Sequence, residues 1–149
     1  MGNILNDDFI DFLKSFNHYH VDYILVGGYA VIFHGYNRTT GDLDVWVKPT
    51  KENFGKMILA FKAFGLSPPN MTEAIFLNAS ENDVFTFGRP PVCIDILTQV
   101  KGLDFNDTFS NSSMEKLDGL DVNMIDIRDL KSAKRAAGRA KDMDDLEHL

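Results

Sequence analysis

The sequence predicts an α/β (α+β) domain with a mixed sheet flanked by helices, and three observations carry that prediction. A helical stripe opens the chain. A short apolar run that stops at paired glycines is followed by a segment alternating with period two. Further strand-like segments and a closing helix fill the second half. One domain is expected over residues 1–149, because a chain of this length buries roughly two-thirds of its unfolded surface. With 44% hydrophobic residues and twelve Phe, it has the material for a core.

The first helix follows Asn6, a good cap, with Asp7 and Asp8 in its first turn. Phe9, Leu13 and Phe16 recur at helical spacing, widened by Ile10 and Phe12. Tyr23-Ile24-Leu25-Val26 reads as a buried strand ending at Gly27-Gly28, and Tyr29 to His34 as a brief helix stopped by Gly35. Asp42 to Val47 alternates with period two, which is strand behaviour. Thr50 caps a helix running to about Phe64, with Phe54, Ile58 and Phe61 on one side. Residues 84–88 and 92–97 look like two strands joined by Arg89-Pro90-Pro91. A strand near Asp121–Ile127 precedes a last helix from about Arg128 onward. The prolines, at Pro49, Pro68, Pro69, Pro90 and Pro91, punctuate one domain rather than separating two.

Composition excludes several classes. A single cysteine, Cys93, leaves no disulfide framework and no cysteine-rich zinc site. No apolar run approaches the roughly 18 residues of a membrane span. Met1 to Asp8 is not a basic stretch leading into an apolar one, so a cytoplasmic protein is expected. Fifteen basic against twenty-two acidic residues give a net charge of −7. That balance argues against gripping nucleic acid over a broad face, though not against a small basic site.

Asp42 and Asp44 are the first candidates for chemistry. Two apart on a strand, they share a face at roughly 6–7 Å, while Leu43, Val45 and Val47 point the other way. Like charges side by side call for a neutralising partner, and Mg²⁺ binds through one or two carboxylates plus substrate phosphates. Solvated acids at a strand edge are the plainer reading. Gly27-Gly28 lets a backbone approach a ligand closely or simply makes a turn. Arg38 and Thr40 put a cation and a hydroxyl just before the acids. Asp95 sits in the apolar run Val92-Cys93-Ile94-Asp95-Ile96-Leu97, either as a hydrogen-bonded structural acid or as a metal ligand. Trp46, on the acids' face, is a core residue or a platform for a base. His34 reads as packed rather than catalytic, and His18, His20 and His148 show no ligand spacing.

Lys131, Lys134, Arg135, Arg139 and Lys141 place five basic residues within eleven positions. On one helix they form i, i+4 stripes. They are a solvated face balancing Asp142, Asp144, Asp145 and Glu147, or they reach a triphosphate or an acceptor.

Read in order, Gly27-Gly28-Tyr29-Ala30-Val31-Ile32-Phe33-His34-Gly35 and Arg38-Thr39-Thr40-Gly41-Asp42-Leu43-Asp44-Val45-Trp46-Val47 resemble the nucleotidyltransferase superfamily typified by DNA polymerase beta. More narrowly, they resemble a small bacterial group near the abortive-infection and toxin–antitoxin nucleotidyltransferases and the lincosamide nucleotidyltransferases. The resemblance runs from about Val21 to Leu97 and returns in the closing helix. Gly28 stands where serine is usual, and Gly41 precedes the first acid in place of serine.

The resemblance implies a nucleotidyltransferase fold and transfer of a nucleoside monophosphate from an NTP to a hydroxyl. It implies Mg²⁺, or Mn²⁺ in its place, on Asp42, Asp44 and Asp95, with Asp95 also as general base and pyrophosphate leaving. Gly27 and Gly28 would cradle the β- and γ-phosphates, with Arg38, Thr40, Lys134 and Arg139 also on the nucleotide side. The acceptor, a small molecule, a protein or a tRNA end, is left open, with RNA disfavoured by the charge. A protein partner or a second copy of the chain is expected to help build its site. The competing reading is a non-catalytic nucleotide-binding or interaction module such as an antitoxin-like partner.

Overall fold

Helix α1 (Asp7–His18) starts where Asn6 Oδ1 accepts the Phe9 N–H at 2.8 Å, and it buries Phe9, Phe12, Leu13 and Phe16. The structure, a computed structural model, describes residues 4–65, 71–78, 84–89 and 92–149. Pro68, Pro69, Pro90 and Pro91 lie outside the described residues, while Pro49 falls between a strand and a helix as expected.

Strand β1 (Tyr23–Val26) is buried at all four positions and runs directly into helix α2 (Gly27–Phe33), which opens two residues earlier than its sequence signal. Strand β2 (Asp42–Val47) leads to helix α3 (Lys51–Phe64), capped by Thr50 and stopped by Gly65 in the left-handed region. A five-residue helix α4 (Glu73–Leu77) follows. Strands β3 (Val84–Arg89) and β4 (Val92–Leu97) agree with expectation. Helix α5 (Phe105–Asn111) and strand β5 (Ser113–Leu117) were not foreseen. Strand β6 (Leu120–Met124) returns from β5 through Asp118-Gly119. The single closing helix expected from Arg128 is instead two, α6 (Ile127–Ala137) and α7 (Ala140–His148). Gly138, at φ +66°, ends the first, so the basic residues do not form one continuous stripe.

The six strands form one sheet in the order β3-β4-β2-β1-β6-β5. Pairings β1–β2, β3–β4 and β5–β6 are antiparallel, and β2–β4 and β1–β6 are parallel, so the sheet is mixed. Leu43, Val45, Val47, Ile94, Ile96, Phe85 and Phe87 are buried. On that face Phe61 of α3 meets Phe12 and Phe16 of α1 and Phe87 of β3, with ring centroids 5.2–5.9 Å apart. The opposite face carries Asp42, Asp44, Cys93, Asp95, Thr86 and Leu97, because side chains alternate along each strand. Trp46 shares that face but is only 1% exposed, edge-on to Phe105 at 5.2 Å. It is a core residue and presents no open platform for a base.

Candidate active site

The parallel β2–β4 register sets Asp44 beside Asp95 and Asp42 beside Cys93. Asp42 is exposed and Asp44 half-buried. Asp95 accepts a hydrogen bond from Thr86 Oγ1 at 2.7 Å, from the next strand out. Burial, the neighbouring Asp95 charge and a hydrogen bond with Asp95 push the Asp44 carboxyl up to about 7. Asp42 adds to the rise and Lys134 opposes it. Asp95 and Asp42 thus both act on Asp44, whose carboxyl burial first and these two neighbours second raise well above the ordinary carboxylate range.

Gly27 accounts for how the chain passes this point. Its φ of +70° is one that L side chains rarely adopt, and a Cβ there would overlap Asp44 Oδ2 and lie 2.7 Å from Cγ. A Cβ at Gly28 would overlap Thr40 Oγ1 in the same way. The two glycines therefore let the β1–α2 turn close against one acid and against the segment leading into β2.

Helices α6 and α7 form the facing wall through a buried ion network. Lys134 Nζ lies 3.3 Å from Asp142 Oδ1 and 3.0 Å from Asp145 Oδ2. Arg38 grips Asp145 through both oxygens, at 2.7 and 3.0 Å, and also donates to the Thr39 carbonyl. Arg139 Nε donates to Asp142 Oδ2 at 2.7 Å. Asp142 and Asp145 are 0% and 1% exposed. Burial alone would raise both carboxyls, but the hydrogen bonds and charges of Arg139 and Lys134 for Asp142, and of Arg38 and Lys134 for Asp145, outweigh it and hold both below the ordinary range. Of the acids expected to be a solvated counter-face, Asp144 and Glu147 are exposed, whereas Asp142 and Asp145 are buried partners.

A cleft of about 310 Å³ opens between these walls. Asp42, Asp44, Asp95, Gly27, Lys134 and Arg139 line it, and so do Lys141 and Asp142. Arg38, Thr40 and Gly28 do not: Arg38 ties α7 to the segment before β2, and Thr40 packs on Gly28. His34 Nε2 bonds the Ile125 carbonyl at 2.8 Å, a packing role. The sequence reading missed Asp142 and Asp145 as buried partners of Lys134. Their i, i+3 spacing after a helix-stopping glycine is the local signal that was present. It also missed Val84, Val100 and Leu130 of the lining, which carry no local signal at all.

Among the described residues no group of three or more His, Cys, Asp or Glu side chains is arranged to hold a metal ion alone. The donor set nonetheless suits a hard cation that takes few protein ligands and completes its shell with phosphate and water. Hard carboxylate oxygens are gathered here, and the acid that burial and its neighbours push toward neutrality is the one a cation would relieve.

No family model and no curated protein sequence matches the chain. Among solved structures, the chain has the fold of a lincosamide antibiotic adenylyltransferase, which is to say a nucleotidyltransferase-type mixed sheet flanked by helices. That structure is LnuA in its lincomycin-bound form. The match has a TM-score of 0.58 and 16% identity, and covers 99% of this chain and 97% of the other. No helix among the described residues is long and apolar enough to cross a membrane.

Proposed function

We propose that this chain is a nucleotidyltransferase that moves a nucleoside monophosphate from an NTP to a hydroxyl acceptor with Mg²⁺, Mn²⁺ being the natural substitute. The observation that carries the reading is the parallel β2–β4 register, which brings Asp44 against Asp95 in a cleft faced by Lys134. Asp42 and Asp44 hold the cation, with Asp95 the third carboxylate. When bound, the cation neutralises charge on the phosphates and favours departure of pyrophosphate. Asp95 accepts the acceptor hydroxyl's proton, that oxygen bonds to the α-phosphorus, and the bond from the α-phosphorus to the bridging oxygen breaks, releasing pyrophosphate. Lys134 and Arg139 face the phosphates, and Gly27 brings the main chain close to them, with Gly28 packed behind on Thr40. Arg38 and Thr40 act at one remove, by fixing α7 and the β2 approach.

The acceptor is a small molecule in this reading, in keeping with the lincomycin-bound neighbour and with a net charge of −7, which disfavours an RNA end. A second copy of the chain or a protein partner would complete its binding surface. A cytoplasmic setting accords with an NTP donor.

The test is thermal unfolding with each of the four NTPs, with and without Mg²⁺, on wild type and Asp44→Asn. Ligand at a hundred times its Kd adds about 2.7 kcal/mol, or roughly 5–11 °C for a domain of this size. The expected result is a metal-dependent rise lost in Asp44→Asn. Absence of any rise refutes nucleotide binding at this cleft. Metal-dependent binding without pyrophosphate release returns the protein to the class of non-catalytic modules.

A further inference from the structure

The cleft lining combines charged side chains with an apolar stretch beside Asp95. Its charged part consists of the three acids and the α6–α7 group of Lys134, Arg139, Lys141 and Asp142. Every other lining side chain is apolar, and no Ser, Thr, Asn, Gln, His or Tyr is among the described residues that line it. The apolar floor starts at the acids. Leu97 lies two residues along β4 from Asp95 on the same face, about 7 Å away by strand geometry. Val84 of β3 sits opposite Leu97 in the sheet, and Val100 follows it in the chain. Helix α6 adds Leu130 and Ala133 to the same lining, sharing a face at i, i+3 with Lys134 beside them.

We infer that this apolar stretch is the acceptor subsite, and that it takes an alcohol whose hydroxyl is carried on an uncharged, largely apolar skeleton. The inference rests on the transferase reading above and adds the acceptor's chemical class. A hydroxyl placed to give its proton to Asp95 has its carbon skeleton over Leu97, Val84 and Val100, and among the described lining residues none there offers a hydrogen bond to a sugar or a base edge. A nucleic-acid end would bring phosphates onto this floor, whereas the cations among the described lining residues stand on the α6–α7 side, Lys134 and Arg139 being already paired with Asp142.

Methyl-labelled protein provides the test, with cyclohexanol as the apolar probe, glycerol as the polar control and α,β-methylene-ATP with Mg²⁺ as the nucleotide probe. Millimolar cyclohexanol is expected to shift the methyl resonances of Val84, Leu97, Val100 and Leu130, and glycerol to leave them in place. Ala133→Trp, which fills the floor, should weaken cyclohexanol binding about tenfold or more. The nucleotide probe should still move the Gly27 amide in that variant. Should Ala133→Trp fail to fold, Val84→Asp at the half-exposed edge of the floor is the replacement and should weaken cyclohexanol binding in the same way. Cyclohexanol without effect on these methyls overturns the inference. So does competition between the two probes for the same methyls, which would make this stretch the base pocket. Cyclohexanol binding with no response to the nucleotide probe anywhere overturns the transferase reading instead.

Discussion

Replacing Lys134 by methionine tests the physical basis of the wall opposite the acids. Methionine keeps much of the side chain's length and apolar stem and removes only the ammonium. That ammonium lies 3.3 and 3.0 Å from two carboxylates that have essentially no contact with water. Breaking a buried ion pair by deleting one partner leaves uncompensated charge and costs about 3–5 kcal/mol. Here Arg38 and Arg139 still hold one carboxylate each, so the expected loss is at the low end, about 3 kcal/mol. For a domain of this size that lowers Tm by roughly 6–12 °C at neutral pH. The pH dependence sharpens the test. In wild type the Asp142 and Asp145 carboxyls are held below the ordinary range. Their contribution is therefore present above the unfolded pKa of about 3.9 and fades as pH falls through the folded values. Without Lys134 both carboxyls rise, so the variant loses less on acidification, and the gap from wild type holds from pH 7 to about pH 4 and narrows from there down to about pH 2. Adding Asp145→Asn to Lys134→Met should recover part of the loss by removing one stranded charge. Urea unfolding of the three proteins across that pH range measures each quantity. A neutral-pH loss below about 1 kcal/mol, or a gap that does not narrow in acid, refutes the account of the network as a mutually compensated buried cluster.

Two further outcomes are expected from the folded core. Gly27→Ala should cost about 2–4 kcal/mol, because positive φ and overlap with Asp44 act together. Gly65→Ala, at φ +85° with open space where the Cβ would lie, should cost about 1 kcal/mol. Equal losses in chemical denaturation would remove the Asp44 contact from the explanation. Tyr23 donates its hydroxyl proton to Asn17 Oδ1 at 2.8 Å, and burial pushes its pKa up to about 12. The neutral phenol is thus favoured in the fold, its stability is complete below the unfolded pKa of about 10, and roughly 1.4 kcal/mol is gone by pH 11. Tyr23→Phe should be less stable at neutral pH yet lack this alkaline loss, and parallel alkaline curves for the two proteins would refute the assignment.

The sequence was most legible where one local rule decided the outcome. Asn6 and Thr50 cap the helices they were expected to cap, and the period-two run at Asp42–Val47 puts the acids on one face and Leu43, Val45 and Val47 on the other. Asp118-Gly119 was a readable hairpin signal that was overlooked: both residues have positive φ, at 53° and 80°, as a tight two-residue connection requires. Strand β5 itself is exposed at three of its five positions and so lacked the apolar alternation that marks a strand. Period also reports face but not depth, which is why Trp46 was placed with the acids while its burial was left open. The Arg38–Asp145 pair spans 107 residues and leaves no trace in the sequence until the fold joins its ends.

The sheet order also governs when the cleft can exist. Asp44 meets Asp95 only after β2 and β4 pair in parallel, and the central β1 is completed by β6, as the Tyr23–Asn123 bonds across 100 residues show. Lys134 and its partners arrive from still further along the chain. Closing such loops is entropically unfavourable until distant contacts reward it, so pairings of this kind form late and slowly. In a nascent or partly folded chain Asp95 and Lys134 are consequently far from the Asp42–Asp44 pair. Competence to gather charge appears all at once with the finished sheet, making the site itself a reporter of complete folding.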